Sequence, residues 1–405
     1  MSVLVAYAQL QPWRGTVRDH LYSFRRHGTR PYEYVNLAVP GLARAYARRR
    51  YDAVLWHNTV LAWLRWAPES QQQGLLTRAH ALRATTDCHI ALPQDEFIHS
   101  DRVNAFLAEL GARHVFSVAP ASEWPAIYDG LDGVEIHPAL TGYLDEATVA
   151  RIDAIVAEGR PRTIDIGYRT VPAKPYLGRH AMLKAGLAEV VAARAPERQL
   201  RVDLSTRAED TFYGDDWYRF LAGCRYTIGI EGGASILDRD GSVQACVDAR
   251  PPDTPFEALE AACFPGRDGE LALFAISPRH LEACATRTVQ ILVEGAYSGV
   301  LKPGIHYIEL RRDLSNLDAV LDQVAHEDCR DIADQAYADI VASQRYTYRG
   351  LVREVERVLP GSAGRRTVGS AASHVMDTAS HPLIPLATRV LMPARRRLLG
   401  SLARR

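Results

Sequence analysis

The feature that most constrains this chain is a rhythm. Short apolar runs alternate with stretches of helical period, stop at Gly159-Arg160-Pro161, and then begin again. Strand-length runs separated by helices imply parallel sheets, because a parallel pairing needs a crossover long enough to hold a helix. In the first half the runs fall at residues 3–8, 53–56, 89–92, 114–118 and 134–137, with helical patterns at 42–50, 102–110, 123–128 and 145–158. In the second half, strands at 163–167, 200–204, 226–230 and 289–294 alternate with helices at 180–194, 215–222, 278–284 and 317–325. Ser315 is the expected N-cap of the last of these. Residues 331–359 predict one long helix, or two broken near Ser343. The expected fold class is therefore α/β, with two Rossmann-like doubly wound units at residues 1–150 and 160–335. A closing helix at 336–360 and a linker with a basic tail at 361–405 complete it.

Charge enters because it is unevenly placed. The 405 residues carry 48 basic and 48 acidic side chains, which excludes a polycation built for nucleic acid. Yet residues 361–405 hold eight Arg and one acid, Asp377. Within 381–405, arginines interleave with leucines and prolines, so this end is either a solvated tail or a peripheral anchor on an anionic membrane surface. The six cysteines show no metal-ligand spacing and are expected to be free thiols of a reducing compartment. Residues 1–10 lack the basic start of a signal peptide, and no apolar run approaches the ~18–20 residues of a span. The expected location is the cytoplasm, with peripheral attachment if the tail is an anchor.

Two doubly wound units place their ligands at the carboxyl ends of strands, and several clusters sit there. Ile164-Asp165-Ile166-Gly167-Tyr168-Arg169 leads through Lys174 to a helix starting near Gly178 and carrying Lys184. A strand, a glycine, cations and a helix start suit an anion. Only three of the 48 basic residues are lysine, and two of them are here. Where Arg serves every generic need for charge, a surviving Lys points to a need for a compact ammonium. A second strand runs into Glu231-Gly232-Gly233, an acid where burial without a partner is costly. A third cluster, Ser277-Pro278-Arg279-His280-Leu281-Glu282, begins a helix with Ser at the cap and Pro at its first position. Beyond the following strand lie Ser298 and Lys302. In the first half, Gln94-Asp95-Glu96 follows a strand, where Asp95 or Glu96 could orient an acceptor hydroxyl or act as a base. His57 with Asn58 and His137 also end strands, and Arg14-Gly15-Thr16 follows the first. Asp238-Arg239-Asp240 has the letters of a metal run but sits in an insert, residues 236–275.

The run SPRHLEA, the strand after it, and VEGAYSGVLKPGIHYIELRRDLSN resemble the C-terminal domain of GT-B-fold glycosyltransferases of the group 1 type, in the spore-maturation-protein-like branch. The resemblance covers residues 163–359, more faintly the segment around Gln94-Asp95-Glu96. It implies a nucleotide-sugar donor held by the second unit, with Arg169 and one of Lys174 or Lys184 at the diphosphate. Ser277 and Arg279 would stand beside the phosphates, and Glu282 would accept from the ribose. Relatives often carry a second acid eight residues earlier, where this chain has Phe274; either Glu231 takes that role or nothing does. The resemblance implies sugar transfer to a glycan, lipid-linked or small-molecule hydroxyl, with retention and without a metal or other cofactor. Alternatives on the same fold are epimerisation or hydrolysis of a nucleotide sugar, or a silent binding module.

Overall fold

The structure, a computed structural model, describes residues 2–10 and 15–361. Arg14 and the basic segment 381–405 lie outside them. Strands β1 (Val3–Tyr7), β2 (Tyr32–Asn36), β3 (Ala53–Trp56), β4 (His89–Ala91), β5 (Ala112–Ser117) and β6 (Glu135–Pro138) form a parallel sheet in the order β2-β1-β3-β4-β5-β6. Strands β7 (Ile164–Arg169), β8 (Val202–Ser205), β9 (Cys224–Gly229), β10 (Gly232–Ala234), β11 (Leu273–Ala275), β12 (Val289–Val293) and β13 (Ile308–Leu310) build the second half. Five of these make a parallel sheet, β13-β12-β9-β7-β8, while β10 and β11 pair antiparallel beside it.

Burial explains the strand sequences. Every residue of β1, β3 and β12 is buried, as expected where helices cover both faces of a parallel sheet. Each wholly buried Val, Leu or Ile contributes roughly 1.5–3 kcal/mol. On one face of the first sheet Leu4, Val54 and Trp56 meet Leu61 and Phe106; on the other Val3, Val5 and Leu55 meet Leu21, Phe24 and Val352. Strand β2, YEYVN, gave no apolar run, because Glu33 interrupts it. Glu33 is fully buried yet satisfied by the Arg49 guanidinium, which donates to both its oxygens at 2.5 and 2.6 Å.

Helix ends follow local chemistry. Asp145 caps helix Glu146–Ala157 by accepting from the Thr148 amide at 3.1 Å. Ser315 is not the cap of helix Leu317–His326: Asn316 holds that position, its side chain bound instead to the Arg311 amide and the Glu309 carbonyl. The 331–359 segment is broken, as its second reading had it. Helix Arg330–Ala336 passes through a π turn, Tyr337–Ala342, before Thr347 caps helix Tyr348–Arg357.

That last helix returns to the first sheet. Glu356 accepts from the Thr29 amide and hydroxyl, both at 2.8 Å, and Tyr348, Leu351 and Val355 join the core around Phe24. A second tie runs the other way. Residues 236–275 leave the second half and lie on the first: the Asp238 amide donates to the Phe97 carbonyl, the His99 amide to the Asp238 carbonyl, and Leu237 and Leu273 enter the first core. A disulfide, Cys246–Cys263, joins the two helices of this segment, which corrects the expectation of six free thiols. The other four cysteines are free and buried. Among the described residues no helix is long and apolar enough to cross a membrane.

Candidate functional site

The carboxyl ends of β7 and β9 border a cavity of about 330 Å³, lined among others by Thr170, Lys184, Trp217, Gly232, Ser277 and Arg279. A second cavity, of about 160 Å³, is lined by Asp95, Val118 and Thr141 from the first half and by Gly232, Gly233 and Ser277 from the second. Gly232 and Ser277 border both, so the two spaces adjoin at the junction of the halves.

The second half supplies the cations. Lys184 projects from helix Arg179–Arg194 and, among the described residues, makes no hydrogen bond or ion pair. Burial first, then the Arg279 charge, lower its pKa below the ordinary lysine range, and Asp95 opposes them. Arg279 stands on the first turn of helix Pro278–Ala285, donates to the Arg169 carbonyl, and lies 5.3 Å over the Trp217 ring. No carboxylate is within ion-pair distance of it among the described residues. Ser277 occupies the N-cap with Pro278 behind it, as its sequence expects, but its hydroxyl makes no capping bond and borders both cavities. A helix start and two cations without ion-paired carboxylates suit this space to an anion.

The first half answers with a carboxylate. Asp95 holds a left-handed backbone, φ 55°, and makes no hydrogen bond among the described residues. The surrounding protein raises its pKa, while Arg65 and Lys184 draw it down. Gly233 is at φ 111°, and a Cβ there would lie 2.0 Å from the Leu273 carbonyl oxygen, so the wall shared with β11 requires glycine.

The other sequence candidates have bonds of their own already made, Arg169 and Glu96 at the cavity walls, or lie outside both cavities. Arg169 pairs with Asp203 at 2.7 Å, donates to three carbonyls, and is held between Phe212 and Phe220; it borders the cavity with its bonds already made. Glu96 accepts from Ser117, the Val118 amide and Tyr128, in a buried network that fixes the loop after β4. Glu231 is buried and accepts from the Ala296 amide, holding the loop after β12. Glu282 borders neither cavity; it accepts from the Trp217 indole at 2.8 Å and so fixes a ring that does. Lys174 and Lys302 are exposed outside both cavities, and the Ser298 hydroxyl accepts from the Ile276 amide. His137 stacks on Phe116 and lines neither cavity. His57 caps helix Asn58–Trp66, with its other nitrogen 2.9 Å from His20. Asp238 accepts the amides of Gly241, Val243 and Gln244, a capping role.

Two residues that line these cavities had no sequence signal. Trp217 lies in an amphipathic helix like any other. Thr141 borders the second cavity and donates to the Ile276 carbonyl across the junction. Each reaches the site through contacts distant in sequence.

Two parallel α/β sheets presenting strand ends to a common junction, with a C-terminal helix returning to the first, define the GT-B fold. No protein-family model matches the chain, and no curated protein matches it in sequence. Solved structures do match. Sucrose-phosphate synthase from Thermosynechococcus elongatus aligns over 88% of this chain and 98% of its own, at 10% identity and a TM-score of 0.52. HepE from Anabaena, solved with UDP-glucose, covers 89% and 99% at 12% identity, with a TM-score of 0.45. AviGT4, a glycosyltransferase involved in avilamycin A biosynthesis, covers 89% and 98% at 12% identity, with a TM-score of 0.46. At such identities the likeness is one of fold.

Proposed function

We propose that this protein is a glycosyltransferase that takes a sugar from a nucleoside diphosphate and passes it to a hydroxyl of a glycan, lipid-linked or small-molecule acceptor. The observation that carries the reading is the cavity in the second half, where Lys184 and Arg279 stand without carboxylate partners beside a helix start. Lys184, half-buried and without a hydrogen-bonded or ion-paired carboxylate among the described residues, carries a desolvation cost in the free protein. An arriving diphosphate offsets that cost, with the exposed Arg279 beside it to share the charge. The fold shared with sucrose-phosphate synthase is consistent with it.

In this reading the donor's diphosphate lies against Lys184, Arg279 and Ser277, and Trp217 packs beside the nucleoside. Glu282 acts through Trp217, or reaches the ribose after that indole turns. The acceptor enters the smaller cavity near Asp95 and Thr141. Its oxygen bonds to the anomeric carbon as the bond from that carbon to the phosphate oxygen breaks, and the electron pair leaves with the diphosphate. The acceptor proton goes to Asp95 or to the departing phosphate oxygen, the second route being the one that accompanies retention. Lys184 and Arg279 neutralise the leaving group, the task a metal performs elsewhere.

The test is a thermal-shift screen across nucleoside diphosphates, followed by transfer assays with the nucleotide sugar of the best binder. A rise in Tm that is lost in Arg279→Met, together with a glycosylated product, supports the reading. A rise with release or isomerisation of the sugar, but no transfer, selects the hydrolase or epimerase. No response to any nucleotide removes the enzyme reading and leaves the silent module. Binding to anionic vesicles through residues 381–405 is a separate proposal, tested by sedimentation with and without that segment.

A further inference from the structure

On the edge of the first sheet, outside the lining of both cavities, two histidines and a glutamate converge. His114 comes from β5, and Glu135 and His137 come from its neighbour β6, in parallel register: His114 pairs with Glu135, and Phe116 with His137. Residues two apart on a strand share a face, so the register alone brings these three side chains together. His114 Nδ1 lies 3.2 Å from His137 Nε2. The Glu135 carboxylate approaches the same two nitrogens, at 3.5 Å from His114 and 3.7 Å from His137. The imidazoles are largely covered, with side chains 16% and 19% exposed, while Glu135 is 67% exposed.

These distances distinguish two explanations. A hydrogen-bonded triad would bring the carboxylate within about 2.7–3.2 Å of a ring N–H, and neither contact does so. One proton between the two rings satisfies one nitrogen pair and leaves the carboxylate outside. Three donors around one ion behave differently. With ligand bonds of about 2.0–2.2 Å in a tetrahedron, neighbouring donors stand about 3.3–3.6 Å apart. The two nitrogens are 3.2 Å apart, and each has a Glu135 oxygen, Oε2 for His114 and Oε1 for His137, at 3.5 and 3.7 Å. All three donor atoms lie within 4.8 Å of one another.

We propose that His114, Glu135 and His137 form a binding site for one divalent transition-metal ion of the zinc class. Two imidazoles and a carboxylate suit such an ion rather than calcium or magnesium, which take oxygen ligands. Three protein ligands leave a fourth position to water on the exposed side. The ion would clamp the short edge strand β6 onto β5. Four residues past His137, Thr141 borders the second cavity, so the clamp also steadies a loop at the junction of the halves. The site is independent of donor binding, since none of its residues lines either cavity.

The experiment uses the full chain without a polyhistidine tag, stripped with chelator and titrated with Co²⁺. One equivalent should give a saturable visible d–d band, which Zn²⁺ then bleaches by displacement, and Zn²⁺ should raise the Tm. His114→Gln and His137→Gln should each weaken binding at least about 100-fold, beyond the 10–100-fold of losing only an outer partner. Glu135→Gln should weaken it as well. All three positions are partly exposed at the sheet edge, and circular dichroism of the variants verifies that they fold. Absence of a saturable band overturns the proposal. A band that survives both histidine changes places the metal elsewhere and also overturns it, and unchanged binding in Glu135→Gln overturns the three-ligand set.

Discussion

A single lysine shows how this site trades stability for binding. Lys184 sits half-buried with no hydrogen-bonded or ion-paired partner among the described residues, and burial, ahead of the Arg279 charge, disfavours its charged form in the free protein. Lys184→Met removes that penalty, so the variant should melt at or above the temperature of the parent. The same change should weaken nucleoside diphosphate binding by ~1.5–3 kcal/mol, about tenfold to a hundredfold. Lys174→Arg, exposed outside the cavity, should leave affinity unchanged; calorimetry on both variants checks the pair. A lower Tm with unchanged affinity for Lys184→Met would show that the lysine serves the fold. The pH dependence has a definite sign. Lys184 must be protonated to meet a diphosphate, and its free-protein pKa is lowered, so affinity should begin to fall on the alkaline side at a pH below the ordinary lysine range. In Lys184→Met that alkaline loss should vanish, as titrations at several pH values would reveal.

Residues also mark where sequence ran short. Asp95 and Lys184 were legible because strand ends and a rare lysine are local signals. Arg169 had an equally good local signal, a cation after a strand and a glycine. Its guanidinium is engaged by Asp203, on a neighbouring strand, although Arg169 borders the larger cavity, and no spacing rule reports which carboxylate lies across a sheet. Glu231 was singled out for the cost of burial. That cost is met by the Ala296 amide, again far along the chain.

At the level of elements, the rhythm of the sequence carried most of the sheets but not their edges or additions. Strand β2 escaped because its buried Glu33 mimics a surface position until Arg49 is seen beside it. The antiparallel pair β10 and β11 is only three residues a side, below what a pattern can signal. It is nonetheless exacting. Gly233→Ala would place a methyl against the Leu273 carbonyl at a backbone angle that L residues rarely adopt. Such strain costs about 1–3 kcal/mol, so chemical denaturation should show a loss of at least that size, with transfer activity falling as the shared wall moves. Loss of activity without loss of stability would mean that the strand pair absorbs the methyl. The disulfide makes a second element-scale prediction. Cys246 and Cys263 are 17 residues apart. Closing a loop of that size stabilises by up to about 3 kcal/mol in the chain-entropy account. Cys246→Ser should therefore lower the denaturation midpoint, and the parent should respond to reductant while the variant does not.

For the whole molecule, the two halves are not beads on a string. The chain builds the first sheet, leaves to build the second, and comes back with helix Tyr348–Arg357, while residues 236–275 reach across in the opposite direction. The two-unit plan was legible because each sheet has its own alternation. The ties were not, because docking surfaces on finished domains leave no period in a sequence. One mechanical consequence follows from the returning helix. Residues 2 and 361, the outermost described, both belong to the first half, so a tether pulled between them loads the grip of that helix on the first sheet before any tension reaches the second. In an optical trap, the earliest rupture should peel away the helix held by Glu356 and Thr29. A nucleoside diphosphate should leave the force of that rupture unaltered and raise the force of a later one, when the second half at last bears load. A first event strengthened by nucleotide would mean that tension already passes through the site. With that ordering, anything that drags on the far end of this protein would free the returning helix from the first half while the second half, and the tie through residues 236–275, are still intact.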